Sequence, residues 1–257
     1  MVIATTQRLF LPIDGYDPKS WPLALYCAEQ INAAHTPRVR DVVLLLHQQR
    51  ILSQSTLAGF MGDQIVKALR TGNSVGLPSG AMLRLETKKT IGHFARPTTI
   101  ISFYADDAIL DQVDGLTNVA GVVVVEDLKG SASQWETRWS PTVPGQPSKP
   151  PVQLIKDPVV LKALESLSGL VNKSNGVLTS PYTDWAKDVL RILRAKGHSA
   201  DPQDIKSWAI KDGWKPGAAD DLAKLAGKIL TLKTKPALSS ITNAEDRYRR
   251  WREGSDS

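Results

Sequence analysis

Three apolar runs limit what this chain can fold into: Val42-Val43-Leu44-Leu45-Leu46, Thr98–Tyr104 and Gly121–Val125. A strand with one face in water alternates apolar and polar residues, whereas a strand covered on both faces reads as apolar throughout. Helical patterns separate the runs. Ser20–Ala34 places Leu23, Tyr26, Cys27 and Ile31 near helical spacing, with Pro22 tolerated in the first turn. Ser55 or Thr56 can cap a helix carrying Leu57, Phe60, Met61, Ile65, Ala68 and Leu69, and the polar His47–Ser53 stretch before it reads as a turn. Arg8–Ile13 is a short first strand closed by Asp14-Gly15, and Asp106–Val113 is a short helix before the last run. Buried strands alternating with helices predict a largely parallel sheet with both faces covered. Ala81–Thr90 departs from this scheme: no helix separates it from Thr98, so it is expected as an edge strand or a hairpin partner. Residues 1–140 are therefore expected to form a Rossmann-like α/β domain.

Ser140–Pro151 holds five prolines in twelve residues, which cannot supply ladder donors and favour an extended conformation. Residues 141–151 read as a linker. Beyond it the pattern is helical over Asp157–Leu170, Thr183–Lys196, Asp201–Gly213 and from Pro216 onward, with Asp201-Pro202 forming a cap and first-turn proline. A small all-α domain is expected at 152–236, followed by a basic tail at 237–257. The fold class is thus α/β, with a mostly parallel N-terminal sheet and an all-α C-terminal domain.

A chain of 257 residues, 42% hydrophobic and 23% charged, accommodates two such cores. Its composition fits a bacterial or viral protein of the cytoplasm. No apolar run approaches the roughly 20 residues of a membrane-spanning helix, and Met1–Thr6 lacks the basic start of a signal peptide. The net charge of +6 is unevenly placed: residues 1–150 hold 14 Lys/Arg against 13 Asp/Glu, and residues 151–257 hold 18 against 13. Such asymmetry points to a polyanionic partner for the second part.

Familiar chemistries are missing. There is no phosphate-binding G-x-x-x-x-G-K-[ST] and no G-x-G-x-x-G after the first strand, and the G-x-S-x-G stretch Gly72–Gly76 follows a helical pattern rather than a strand, so it makes no nucleophile elbow. The lone Cys27 reads as a small buried hydrophobe, and His35, His47, His93 and His198 lack zinc-ligand spacing. These absences point away from an enzyme and imply no cofactor or metal site. The one constellation for catalysis lies at the strand ends. Ligands of a doubly wound sheet bind outside the carboxyl ends of its strands, where Asp14, His47, Asp106 and Glu126 follow the expected strands. Carboxylates near a histidine can hold a divalent metal or supply an acid and a base. Polar residues also follow any buried strand that reaches water, so the same residues are explained without chemistry.

In Leu83-Arg84-Leu85-Glu86-Thr87-Lys88, Glu86 and Lys88 are two apart on a strand and point to one face. This arrangement resembles the E-x-K half of the PD-(D/E)XK nucleases. The resemblance implies that Glu86 would hold a divalent metal and Lys88 would orient the attacking water. That family also needs an acidic residue on a preceding strand, and the nearest upstream carboxylate, Asp63, falls on a predicted helix.

Two stretches carry the basic signal. Lys187, Arg191 and Arg194 recur at spacings of four and three on one helix, and Lys196 extends the stripe. Arg247-Tyr248-Arg249-Arg250-Trp251-Arg252 interleaves four guanidiniums with two aromatics, a combination that neutralises phosphates and stacks on bases. An amphipathic terminal helix docking its aromatics on the core explains the second stretch equally. Trp185 and Trp208 are expected to pack in helix cores. The overall expectation is a nucleic-acid-associated binding protein, for DNA or RNA, whose α/β domain binds a partner or small ligand. The alternatives are a metal-dependent nuclease or small-ligand sensor working at the strand ends, and a protein–protein scaffold subunit of a larger assembly. No membrane association is expected.

Overall fold

The computed structural model describes residues 6–254. Of the opening stretch Met1–Thr6, only Thr6 falls in that range, and the last three residues of the expected tail fall outside it. The chain divides into two compact units, Met1–Pro151 and Val152–Ser257. No helix among the described residues is long and apolar enough to cross a membrane.

The first unit is α/β. Its strands are β1 (Gln7–Leu11), β2 (Asp41–Leu46), β3 (Val75–Gly76), β4 (Met82–Thr87), β5 (Thr98–Ala105) and β6 (Val119–Glu126), in the spatial order β1-β6-β5-β2-β4-β3. Every neighbouring pair is parallel except β3 with β4. Six helices accompany them: α1 (Ser20–Ala34), α2 (Gln49–Gln54), α3 (Thr56–Met61), α4 (Asp63–Arg70), α5 (Asp107–Asp114) and α6 (Ser133–Trp139). The pleat explains why the central runs are apolar throughout. Val42, Leu44 and Leu46 face a core built with α1 to α4, while Val43 and Leu45 face a second core with α5 and α6. Each such side chain fully buried contributes about 1.5–3 kcal/mol of hydrophobic stabilisation. Gly121 in β6 lets α1 lie close to the sheet: a Cβ there would stand 2.7 Å from Ile31 and 3.2 Å from the Gln7 carbonyl.

Four local expectations are corrected. β4 is not an edge strand, but it is a hairpin partner, antiparallel to β3. It pairs in parallel with β2, and the two-residue β3 outside it is the edge. The helix expected from Thr56 to Leu69 is broken at Gly62 into α3 and α4, and the turn expected at His47–Ser53 holds α2. The helix α6 has no counterpart in the sequence reading. The proline-rich stretch also starts inside the unit: Thr142 accepts from the Phe10 amide at 3.0 Å and donates to the Arg8 carbonyl at 2.9 Å, and Val143 is buried.

The second unit contains α7 (Pro158–Ser168), α8 (Tyr182–Lys196), α9 (Pro202–Lys211), α10 (Pro216–Leu230) and α11 (Ala244–Glu253). Asp157 caps α7 through the Val159 amide at 2.9 Å, and Asp201 caps α9 through the Gln203 amide at 2.7 Å. In both, proline at the first helical position supplies a preset φ and lacks only an N–H that would be orphaned there. Most of the stretch expected as a tail is α11, which packs on α7 and α8 with Ala244 and Trp251 buried. Its aromatic positions give it an apolar side to bury despite five charged residues between Glu245 and Arg250.

Candidate functional site

The strand ends of the first unit do not form one cluster. From β2 the chain proceeds to β4 through helices on one face of the sheet, and from β5 it proceeds to β6 through α5 on the other face. The adjacent pair β2–β5 is therefore the topological switch point, the position beyond the carboxyl ends where doubly wound sheets bind ligands. His47 and Asp106 meet there, with Nε2 of His47 3.4 Å from Oδ1 of Asp106 and side chains 25% and 43% exposed. Asp106 also caps α5 by accepting from the Ile109 amide at 2.8 Å. Beside them β5 bulges at Tyr104, whose φ is 53°. The bulge turns Tyr104 to the same face as Phe103, and its hydroxyl shares a 3.1 Å hydrogen bond with Thr56 Oγ1. Bulges of this kind re-aim a side chain at a strand end. Asp14 and Glu126 lie elsewhere, at the ends of β1 and β6, lining a cavity of about 450 Å³ with Tyr16 and Lys129. Each closes its own turn, Asp14 accepting from the Tyr16 amide at 2.8 Å and Glu126 from the Gly130 amide at 2.7 Å. Among the described residues no three His, Cys, Asp or Glu side chains are grouped to hold a metal.

Glu86 accepts from Thr90 Oγ1 at 2.6 Å and lies 3.4 Å from Arg84 Nε. Lys88 is one residue past the end of β4, and its amide donates to the Leu46 carbonyl at 3.0 Å. Asp63 is the first residue of α4.

The basic stripe of α8 is used inside the second unit. Arg191 Nη2 donates to the Ala237 carbonyl at 2.7 Å, Arg194 Nε to the Leu232 carbonyl at 2.8 Å, and Lys196 Nζ pairs with Glu245 at 2.7 Å. Together they fasten the segment between α10 and α11. Lys187 pairs with Asp184 at 3.0 Å. On α11, Arg249 pairs with Asp246 at 2.7 Å, whereas Arg250 and Arg252 are exposed. Arg247 is half-buried, 3.8 Å from Asp188, with its guanidinium 5.6 Å from the Trp251 ring centroid. Burial lowers its pKa against the pull of Asp188.

Arg247, Arg250 and Trp251 come together with residues the sequence reading did not single out as binding residues. A groove of about 540 Å³ runs between α7, α8 and α11. Trp185, Trp251 and Leu170 give it apolar surface, Lys162, Arg247 and Arg250 give it three cations, and no carboxylate lines it. Trp185 is 37% exposed rather than a core residue, with Tyr182 edge-on at 5.6 Å, and Leu170 is 57% exposed. Trp251 is 5% exposed and forms the closed end of the groove. Lys162 also contacts Glu165 at 3.1 Å, an exposed i,i+3 pair that contributes little.

The wall formed by α11 is held by a polar chain. His198 Nδ1 lies 2.7 Å from Asp157 Oδ2, and its Nε2 lies 3.1 Å from the Tyr248 hydroxyl. One carboxylate thereby caps α7 and anchors α11 through the imidazole. Burial pushes the Asp157 carboxyl up, but His198 and the Val160 and Val159 amides outweigh it and hold it below its ordinary value. A carboxylate lowered in the folded state adds stability above its unfolded pKa and loses it as pH falls through the folded value. Asp157→Asn keeps a good cap and loses the charge. Its expected cost is about 1–2 kcal/mol in urea unfolding at pH 7. That difference should shrink as pH falls below the ordinary carboxylate value of about 4, where first the unfolded chain and then the folded carboxylate takes up a proton.

Residues 156–252 match a family described as a domain of unknown function (DUF1889). The matched stretch contains α7 to α10 and all but the last residue of α11. No curated protein and no solved structure matches the chain.

Proposed function

We propose that the helical unit binds single-stranded nucleic acid in the groove between α7, α8 and α11. The observation that carries this reading is the lining: a half-open tryptophan beside three cations, with no carboxylate among them. A base presents a π-face to Trp185 while its phosphates meet Arg250 and Lys162, the pairing of stacking and charge by which single strands are held without sequence preference. The net charge of the second part agrees, with 18 Lys/Arg against 13 Asp/Glu over residues 151–257. A protein ligand would gain less here, since the charged side chains of the lining are all donors and offer no acceptor to peptide N–H groups.

The test is fluorescence anisotropy with a labelled oligothymidine of about 20 nucleotides, titrated at several salt concentrations. The parent is expected to bind with an affinity that falls as salt rises. Stacking on one aromatic is worth about 1–3 kcal/mol, so Trp185→Ala should weaken binding about 5- to 100-fold. Arg250→Glu should weaken it further and flatten the salt dependence. A parent that does not bind, or variants that bind as the parent does, would refute the assignment.

A further inference from the structure

We propose that the α/β unit carries a second, chemically different nucleic-acid site: a phosphodiester-binding groove between α2 and α4. The charge count of the first part conceals it, because 14 Lys/Arg against 13 Asp/Glu leave residues 1–150 almost neutral. In space the charges separate. Arg50 on α2 and Lys67 and Arg70 on α4 line one open groove of about 860 Å³, opposed there by a single carboxylate, Asp63. All three cations are exposed. Lys67 and Arg70 are one helical turn apart and so project side by side. Gln54 adds a neutral amide donor to the lining, and Gln49 ties the two helices together by donating to the Arg70 carbonyl at 2.6 Å.

The chemistry of the lining selects the occupant. No aromatic side chain lines the groove, and its apolar residues are Ala58 and Val66. It therefore offers nothing for an unstacked base and no pocket for the aromatic or aliphatic anchors that dominate protein interfaces. Clustered cations with an amide donor match phosphate oxygens, the groups that receive most protein–DNA hydrogen bonds and that fix position without reading sequence. A duplex, whose bases stay stacked and whose phosphates lie outside, suits this groove, whereas an unstacked strand suits the groove of the helical unit. The two assignments stand on different residues in different units.

The experiment uses the full chain and three labelled probes: a DNA duplex of about 20 base pairs, an oligothymidine of the same length and polyglutamate. Arg50→Glu, Lys67→Glu and Arg70→Glu combined should weaken duplex binding at least tenfold and reduce the slope of log affinity against log salt by about 2–3. The neutral set Arg50→Gln, Lys67→Gln and Arg70→Gln should lie between, with an unchanged thermal midpoint because all three positions are on the surface. Trp185→Ala should leave duplex binding within twofold of the parent. Duplex affinity unchanged in the triple glutamate variant overturns the groove assignment even where oligothymidine binding depends on Trp185. Polyglutamate binding as tight as duplex binding, and lost in the same variant, also overturns it by making the groove a site for acidic protein. Duplex binding lost with the triple variant while oligothymidine fails to bind the parent upholds this groove and removes the other.

Discussion

Replacing Arg138 with methionine should destabilise the α/β unit by about 3–5 kcal/mol, read as a fall in its urea midpoint. Arg138 has no exposed surface, and its guanidinium spans Asp114 at 2.6 Å and Asp111 at 2.8 Å. Asp114 is itself 1% exposed and also accepts from Trp139 Nε1 at 2.9 Å. Its one other cation is Arg8, 4.0 Å away and stacked over the Trp139 ring at 3.4 Å. Methionine roughly fills the volume, so the loss is electrostatic: a carboxylate stays out of water with its main partner gone. Arg138→Lys should restore less than half of the loss, because one ammonium cannot reproduce a two-armed fork. The pH dependence identifies the cause. Burial pushes the Asp114 carboxyl up, and Arg138 is the largest influence pulling it down. In the methionine variant the folded-state pKa rises further above the unfolded one. The folded state then takes up a proton more readily than the unfolded chain, so the variant's deficit should narrow as pH falls from 7 toward 5. A deficit independent of pH would assign the effect to packing instead.

That network was not legible in the sequence, and the reason is physical. Nothing in the local pattern around Arg8, Asp111, Asp114 or Arg138 marks them as partners. Their pairing depends on α6 folding back beside α5, and Ser133–Trp139 carries too short a pattern to announce a helix. The sheet was legible because burial on both faces leaves no choice of residue: Val42–Leu46 and Val122–Val125 are apolar at every position. Strand order was not, since the parallel neighbour of β4 is set by the return from β4 to β5 rather than by any local signal. At the candidate sites the sequence supplied residue types and the fold supplied company. His47 and Asp106 are 59 positions apart and meet because β2 and β5 are neighbours. Trp185 occupies a helical position that spacing assigns to the core, yet it lies in the first turn of α8, where neighbouring helices cover it incompletely. The cations of α8 present the converse case. Their periodic spacing looks like a solvent stripe, but the backbone carbonyls of Leu232 and Ala237 consume it. Spacing reports which residues share a face and is silent on what that face meets.

The largest expected loss in the helical unit is at Trp214, where Trp214→Ala should cost about 3–5 kcal/mol. α9 ends in a paired-bond cap: the Gly213 amide donates to the Ile210 carbonyl at 3.0 Å and the Trp214 amide to the Ala209 carbonyl at 2.9 Å. Gly213, at φ 94°, adopts the left-handed turn this cap requires. The turn drives the indole into the core, where it is 2% exposed and donates from Nε1 to Ser168 Oγ at 2.8 Å. Ser168 in turn donates to Asp212, which Lys173 holds at 2.7 Å, so one side chain links the end of α7 to the turn after α9. Alanine leaves a large void and strands one acceptor. Trp214→Phe fills most of the void and loses one neutral hydrogen bond, for an expected cost of about 1–2 kcal/mol. Both are read by circular dichroism during urea unfolding, and equal losses would mean that the hydrogen bond rather than volume decides the site. The pair also separates core from groove. Trp214 does not line the Trp185 groove, so Trp214→Phe should bind oligothymidine as the parent does, whereas Trp185→Ala should lose binding while keeping its urea midpoint. A Trp214→Phe variant that remains folded but no longer binds would place the recognition surface somewhere other than α7, α8 and α11.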